Sequence, residues 1–494
     1  MKHQKIQSVL AAVLFCASLL ASCGESGTAP VSDTDASAKE NGAGETEAVT
    51  AEAEPAPEIE DMDGAELVIV NYTPTSFSWA NTVILVDSTD GDSLNDALYN
   101  RQKKVEELYN CVITENNPDD VGGTISKSVM AGDHSFDTAM VFDANIADVL
   151  IKGLLASWGN LKELDLTKPW WDTAATEQYN FYGIQAAITG AYSLYNYSTR
   201  HCMLFNAKMM QELDIEDDLY DTVRRGQWTV DRLYELGALA SADLDGDGTI
   251  DPKIDRFGIT GTVTRYYSGL LTGANIRYID RKPNGTLYYT LPGNEYAQSY
   301  ISKLVHLDTG NNIFTSGTKD IGGSDETIFP SGRAMFFMTY VGDTVKIRDV
   351  DFDIGFLPPP KHDETQESYY SLVEGGAQSI LPATVTEDDY HRISVILNAL
   401  SYYSYQESIP AYIEVLLKEK VARDEDSSEM LELIFNCSSY DLGTGVWSAE
   451  IKNKFTQNIF LPRKDEVSSL LAKTEPAVEK ALAKFTESVK ELED

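Results

Sequence analysis

Among the 494 residues, those spaced most plainly for chemistry are Asp243, Asp245 and Asp247, followed by Gly248. Carboxylates at alternate positions, with a glycine at the sixth, let a short loop wrap a hard cation: the oxygens converge and the glycine takes the sharp turn. Counted from Asp243, the ninth position is Asp251, which fits. The twelfth is Ile254, and the carboxylate that would complete such a shell, Asp255, comes one residue late. The expectation is a structural calcium ion held by Asp243, Asp245, Asp247, the Thr249 carbonyl and Asp251 or Asp255. The displaced twelfth position leaves a metal-free acidic turn as the alternative.

Other reactive spacings are missing from the sequence. It holds no His-Glu-x-x-His zinc helix, no Gly-x-Ser-x-Gly elbow and no Gly-x4-Gly-Lys-Ser/Thr phosphate loop. Past the N-terminal segment, His134, His201, His306, His362 and His391 are scattered, each better suited to surface or core than to catalysis. The 78 acidic residues could include a glycosidase pair, but no spacing singles one out. No organic cofactor is expected, and the chain is read as a monomer that is not an enzyme.

The elements that would position a site follow from hydrophobic patterning. Ala65-Glu-Leu-Val-Ile-Val70 is a nearly continuous apolar run, suited to a strand covered on both faces. From Leu94 onward, Leu98, Val105, Leu108 and Tyr109 share one helical face, with Ser93 or Asn95 as cap, before a strand at Cys111–Ile113. Strand, helix, strand is the parallel α/β pattern, and it repeats with a strand over 136–142 and a helix over 144–155. Thr229 caps a helix running to Ala240, and Asn284-Gly285 turns a hairpin between 276–278 and 287–290. Thr386-x-x-Asp389 opens another capped helix, and the rest of the chain is helical in periodicity.

At the other end, Lys2, His3 and Lys5 precede an apolar run from Val9 to Leu20, too short to span a membrane and typical of an export signal. Leu20-Ala21-Ser22-Cys23 resembles the lipobox of bacterial lipoproteins, which implies cleavage after residue 22 and a lipid on Cys23, tethering the chain to the outer face of a bacterial membrane. Residues 23–63 carry twelve acidic residues against Lys39 alone and almost no large apolar ones. They read as a disordered, extended tether. The formal charge of −39 becomes −41 without Lys2 and Lys5, of which about −30 stays on the folded part. Such a field disfavours nucleic acid and anionic lipid surfaces and suits neutral or cationic ligands. The mature cysteines besides Cys23 are Cys111, Cys202 and Cys437, an odd number that supports no disulfide framework. Cys202 and Cys437 read as buried thiols, with pairing between them as the alternative.

A resemblance runs along almost the whole folded part. It is carried by Asn100-Arg101 with Val105-Glu-Glu-Leu-Tyr109, Met130-Ala-Gly-Asp133, Leu164-Asp-Leu166 and Pro169-Trp-Trp-Asp172. Further on come Phe205-Asn206-Ala-Lys208, Gly226-Gln-Trp-Thr-Val-Asp231, the Asp243–Gly248 loop, Gly332-Arg-Ala-Met-Phe336, Pro358-Pro-Pro-Lys361 and Arg423-Asp-Glu-Asp-Ser427 with Glu429-Met430-Leu431. In this order, and with the lipobox, the chain resembles the family 1 extracellular solute-binding proteins, lipoprotein receptors of carbohydrate-type ABC importers.

That resemblance implies a periplasmic-binding-protein-like fold: two α/β lobes joined by crossing hinge segments, with extra C-terminal helices. The lobes would comprise 64–198 with 374–420 and 199–373 with 421–494, with hinges near 197–203, 368–376 and 410–425. It implies reversible capture of a small neutral carbohydrate, an oligosaccharide by preference, and delivery to ABC permease subunits, with a lipid anchor as the only membrane contact. The calcium loop would lie away from the cleft, as architecture. In open parallel sheets the ligand crevice lies beyond the carboxyl ends of strands. That points to Asn71, Tyr72 and Thr73 after the first strand and to Asp143 and Asn145 after the strand ending at Phe142. Trp79, Trp170, Trp171, Tyr195, Tyr369, Tyr370 and Glu374 join them, because flat rings cover the C–H faces of sugars while carboxylates and amides bind paired hydroxyls. Each of these aromatic residues has core packing as its plain alternative, and Trp228 reads as structural. A surface glycoside-active enzyme and a glycan-sensing lipoprotein that feeds no importer are the competing functions.

Overall fold

The computed structural model describes residues 54–494 apart from 75, 78, 311–312, 316–324, 348, 418–424 and 493–494. The signal segment, Cys23 and the tether as far as 53 lie outside the described residues, as does the part of the third expected hinge at 418–424. No helix among the described residues is long and apolar enough to cross a membrane.

Two five-stranded sheets organise the chain. The first contains β1 (Ala65–Val70), β2 (Cys111–Asn116), β3 (Thr138–Phe142), β4 (Leu155–Ala156) and β13 (Ala377–Pro382), in the order β2-β1-β3-β13-β4. β1 lies parallel to β2 and β3, while β13 runs antiparallel to β3, placing Ala377 opposite Phe142. The second contains β5 (His201–Asn206), β6 (Phe257–Thr260), β9 (Phe314–Thr315), β10 (Ala334–Tyr340) and β11 (Ile354–Leu357), in the order β9-β6-β10-β5-β11. Between β6 and β9 in sequence, β7 (Ile279–Arg281) and β8 (Leu287–Tyr289) form a hairpin turned by Asn284 and Gly285, the glycine at φ +81°. Every residue of β5, β10 and β13 is buried, as strands covered on both faces require. Each large apolar side chain so buried contributes roughly 1.5–3 kcal/mol.

The helix α1 (Ser93–Leu108) begins one residue after its cap, which is Asp92 rather than Ser93 or Asn95: its Oδ1 accepts the Leu94 and Asn95 amides at 3.0 and 3.1 Å. The helix after β3, α2, starts at Asp143 and ends at Ile151, shorter than the 144–155 expected because the chain turns through Gly153 at φ +67° into β4. Thr229 caps α3 (Val230–Ala240), and Asp389 accepts both the backbone N–H and the hydroxyl of Thr386 at the start of α6 (Glu387–Tyr403).

The part of the expected tether from Glu54 to Asp63 does not stand free of the folded chain. From Glu54 the chain lies against the first lobe: Glu54 pairs with Lys168 at 2.8 Å, Glu60 with His391 at 3.0 Å, and the Met62 amide donates to the Tyr109 carbonyl at 2.7 Å. Basic partners on the lobe offset the like-charge repulsion that composition alone suggests for this stretch.

The segments that cross between the sheets hydrogen-bond to one another. Arg200 bridges to Val373, and β12 (Ser371–Leu372) pairs with β14 (Ser438–Ser439). The third strand in this crossing layer is therefore 438–439, downstream of the 410–425 expected. The C-terminal helix α9 (Val467–Lys490) packs against α2 behind the first sheet and against β8 and α5 (Glu295–Gly310) of the second lobe.

Candidate functional site

Strand β3 ends in Phe142, and helix α2 opens on Asp143, whose backbone N–H donates to Gly376 at the start of β13. That junction points the first lobe's strand ends toward the second lobe, where Thr262 follows β6 and Tyr340 closes β10. Between them lies a cleft of about 490 Å³. Trp79, Phe142, Asp143 and Asn145 line it from the first lobe, Thr262, Thr264, Arg265 and Tyr340 from the second, and Glu374, Thr444, Ser448 and Lys452 from the crossing and C-terminal segments.

The first wall is aromatic. Phe77 lies 4.9 Å from Trp79, 4.8 Å from Phe142 and 5.4 Å from Tyr72, and Phe142 in turn lies 5.8 Å from Tyr195. Offset and edge-on contacts of this kind hold the rings rigid. Gly375, at φ +67°, passes beside the Trp79 indole, so a residue with a side chain there would be strained.

The charged groups are more constrained. Glu374 is buried, with Oε2 accepting from His201 Nε2 at 3.0 Å and Oε1 from Lys452 Nζ at 2.8 Å. Burial pushes its carboxyl up, but Lys452 and His201 prevail and hold it at about 2. Asp143 meets the opposite balance: burial, only partly offset by Lys452 and the Ala144 amide, lifts it to about 6. The backbone at Gly445 approaches so closely that a Cβ there would sit 3.0 Å from Asp143 Oδ2. Arg265 donates to Asp343 at 2.7 Å, and its guanidinium carbon lies 3.9 Å from the Tyr340 ring centre.

Of the twelve sequence-derived ligand candidates, the structure brings Trp79, Asp143, Asn145 and Glu374 to the cleft. Tyr72 and Tyr195 stand behind its aromatic wall, with the Phe142 amide donating to the Tyr72 hydroxyl at 3.3 Å. The others do not line it. Asn71 is spent inside the first lobe: its Nδ2 donates to the Thr82 carbonyl and Glu115, and its Oδ1 accepts the Tyr72 amide. Trp170 is buried with its indole N–H on Asn398, and Trp171 lines a different cavity. Tyr369 is buried with its hydroxyl on the Val223 carbonyl, and Tyr370 lines a surface pocket beside Asn275 and Arg277. Sequence reasoning missed Thr262, Thr264, Arg265, Tyr340 and Lys452. The strand-end rule would have found Thr262 and Tyr340 had β6 and β10 been recognised, whereas nothing in the sequence signals Lys452.

Between α3 and β6, Asp243, Asp245 and Asp247 bring carboxylate oxygens within 4.8 Å of one another. Asp251 and Asp255 are outside that group. Asp255 is buried beneath the loop, accepting the Leu244 and Asp251 amides at 2.7 Å each, so it braces the turn from inside. Trp228 is buried, donating to the Pro358 carbonyl at 2.9 Å, and Cys111, Cys202 and Cys437 are free thiols.

No family model matches the chain, and no curated protein matches it in sequence. Its fold is shared with solved structures. M. tuberculosis UspC is 14% identical with a TM-score of 0.54, over 83% of this chain and 98% of that one. The cyclic alpha-maltosyl-1,6-maltose binding protein from Arthrobacter globiformis is 15% identical with a TM-score of 0.54, over 85% and 99%. A cyclo/maltodextrin-binding protein complexed with maltotetraose is 14% identical with a TM-score of 0.50, over 87% and 97%. At these identities the likeness is one of fold: two α/β lobes joined by crossing segments.

Proposed function

We propose that this two-lobed chain is the substrate-binding lipoprotein of an ABC importer, anchored outside the cell membrane through Cys23, capturing a small neutral carbohydrate and delivering it to permease subunits. The observation that carries the reading is the cleft itself, where Trp79 and Tyr340 line opposite lobes and Asp143, Thr262, Thr444 and Ser448 offer hydroxyl-binding groups between them. Rings take the C–H faces of a sugar, and carboxylate and hydroxyl groups take its hydroxyls. Capture proceeds by lobe closure about the crossing segments, without bond-making. The sugar-binding names borne by structures of the same fold support this. An oligosaccharide is the favoured size, and the monomer the working form.

The enzyme reading draws on one specific observation, that Asp143 and Glu374 titrate far apart, as an acid and its partner carboxylate do in glycosidases. Against it, each oxygen of Glu374 already accepts from a buried partner, leaving neither placed to attack a sugar. A thermal-shift screen of the purified chain against a glycan panel separates the two. A receptor gains about 2.7 kcal/mol of stability at a hundredfold excess of ligand over Kd, and the glycan is recovered intact. No shift anywhere in the panel, or a cleaved product, sinks the receptor reading.

Structural calcium at Asp243, Asp245 and Asp247 is a separate proposal, supported by their convergence. Calcium should then raise the melting temperature reversibly, EGTA should restore it, and Asp245→Asn should abolish the response.

A further inference from the structure

Glu374 lines the cleft, yet both of its carboxylate oxygens are taken, Oε2 by His201 Nε2 at 3.0 Å and Oε1 by Lys452 Nζ at 2.8 Å. The three residues come from separate parts of the chain: His201 opens β5, Glu374 follows β12, and Lys452 begins a short helix near the C-terminus. Exposure rises along this row of side chains, from none at His201 through 7% at Glu374 to 17% at Lys452. The end that reaches the cleft is therefore the ammonium. Among the described residues Glu374 is its one hydrogen-bond acceptor, and an ammonium carries three N–H donors. Two are left for a guest.

A free lysine side chain spreads over many rotamers, and ordering it opposes binding. Here the buried carboxylate fixes the ammonium on folding, so a ligand meets a donor already in place. Asp143 offers the complementary group: it lines the cleft and attracts Lys452 without forming an ion pair with it. A hydroxyl that reaches both can accept from the ammonium and donate to the carboxylate, a double role that an ether oxygen or an amide N–H cannot fill. The charges lining the cleft balance, Lys452 and Arg265 against Asp143 and Glu374. Behind the wall Arg265 shares Asp343 with Lys346, at 2.7 and 2.5 Å, which leaves that balance unchanged. No net charge remains to favour an ionic ligand over a neutral one.

We propose that Lys452 is the residue that reads a hydroxyl of the bound sugar, and that Glu374, backed by His201, is a positioning residue that does not touch the sugar. The inference rests on the receptor reading and adds to it the donor on which selection of a hydroxyl depends.

Removing one member of a buried ion pair strands the other, whereas replacing both leaves neither charge alone. The experiment therefore compares the unaltered chain, Glu374→Gln, and the double variant Glu374→Gln with Lys452→Met, each checked by its melting curve. The probe is whichever of maltotetraose, cellotetraose, xylotetraose and mannotetraose most stabilises the unaltered chain, titrated calorimetrically from about pH 7 to 10. The double variant should bind about tenfold more weakly than the unaltered chain. Glu374→Gln keeps Lys452 and should lie between the two near neutral pH. Burial works against the Lys452 ammonium, but Glu374, with Asp143 and Asp441 beyond it, outweighs burial and holds it charged. Affinity should therefore be lost as pH rises through the ammonium's titration, at lower pH in Glu374→Gln than in the unaltered chain, and the double variant should show no such loss. A double variant that binds as tightly as the unaltered chain, a Glu374→Gln variant as weak as the double at every pH, or one whose pH profile matches the unaltered chain overturns the proposal. The receptor reading survives each of these, because the unaltered chain still binds its glycan. If none of the four oligosaccharides stabilises it, the receptor reading falls and this inference falls with it.

Discussion

Asp143 and Glu374 line one cleft, share Lys452 as a neighbour, and titrate in opposite directions from the usual carboxylate range. The difference lies in charge and hydrogen bonds together: the Lys452 charge and donors on both oxygens outweigh burial at Glu374, whereas at Asp143 burial and the nearby Glu374 charge outweigh Lys452 and the Ala144 amide. In the proposed receptor an ionised Asp143 is the stronger acceptor for a sugar hydroxyl, whereas the protonated acid keeps a weaker acceptor oxygen and gains one O–H donor. Sugar affinity should therefore fall as pH drops through about 6, and calorimetric titration of Asp143→Asn should give a weak but pH-flat profile. Trp79 is partly exposed, with its ring 4.9 Å from that of Phe77. Trp79→Ala should cost about 2 kcal/mol of binding and shift the melting temperature little. Asp143 and Trp79 were legible in the sequence because one directly follows a strand and the other sits in the loop after one. Lys452 was not, since a single lysine among helical residues carries no local sign of its partner 78 positions away.

Elements are held by caps and by buried polar clusters, and only the first kind is local. Asp92 accepts two amides of the first turn of α1, and Asp92→Ala should cost about 1 kcal/mol in chemical denaturation. The sequence placed that cap within three residues of its true position, because several polar residues in a row all make adequate caps. By contrast, Asp308 on α5 receives the hydroxyls of Tyr234 on α3 and of Tyr266 and Tyr267 on the helix Val263–Gly273, joining residues 41 to 74 positions apart. No periodicity reveals such a cluster, because a buried aspartate on a helix looks the same in sequence as an exposed one.

Across the whole molecule, burial raises Asp143, Asp308 and Asp441 to about 6, while an unfolded aspartate titrates near ~4. Unfolding between those values releases protons, so stability is greater below about pH 4 and is lost as pH rises through about 6. Glu374, held at about 2, works in the other sense: its contribution is present above the unfolded value and lost as pH falls toward 2. The net charge of −39 adds repulsion in the same direction as the buried aspartates. The melting temperature should therefore peak at mildly acidic pH and decline toward neutrality, and Asp308→Asn should flatten that decline. A melting temperature that rises steadily from pH 4 to 7 would contradict this balance.

The sequence by itself determined what depends on neighbours in the chain: the α/β class, the place of strands such as β1, though Glu66 is exposed there rather than covered, the caps at Thr229 and Thr386, the hairpin at Asn284-Gly285 and the carboxylate spacing of the acidic loop. Periodicity, turn chemistry and capping act over a few residues, so composition and order suffice to read them. Tertiary structure alone decided which aromatic residues face the cleft. Trp170-Trp171 and Trp79 offer the same chemistry in sequence, yet Trp170 is buried with its indole on Asn398 and Trp171 lines another cavity, while Trp79 lines the cleft. It also decided that Asp255 braces its loop from within and that residues from Glu54 onward dock on the lobe. In each case the outcome is set by which distant surface supplies the partner, and that information lies in no local pattern.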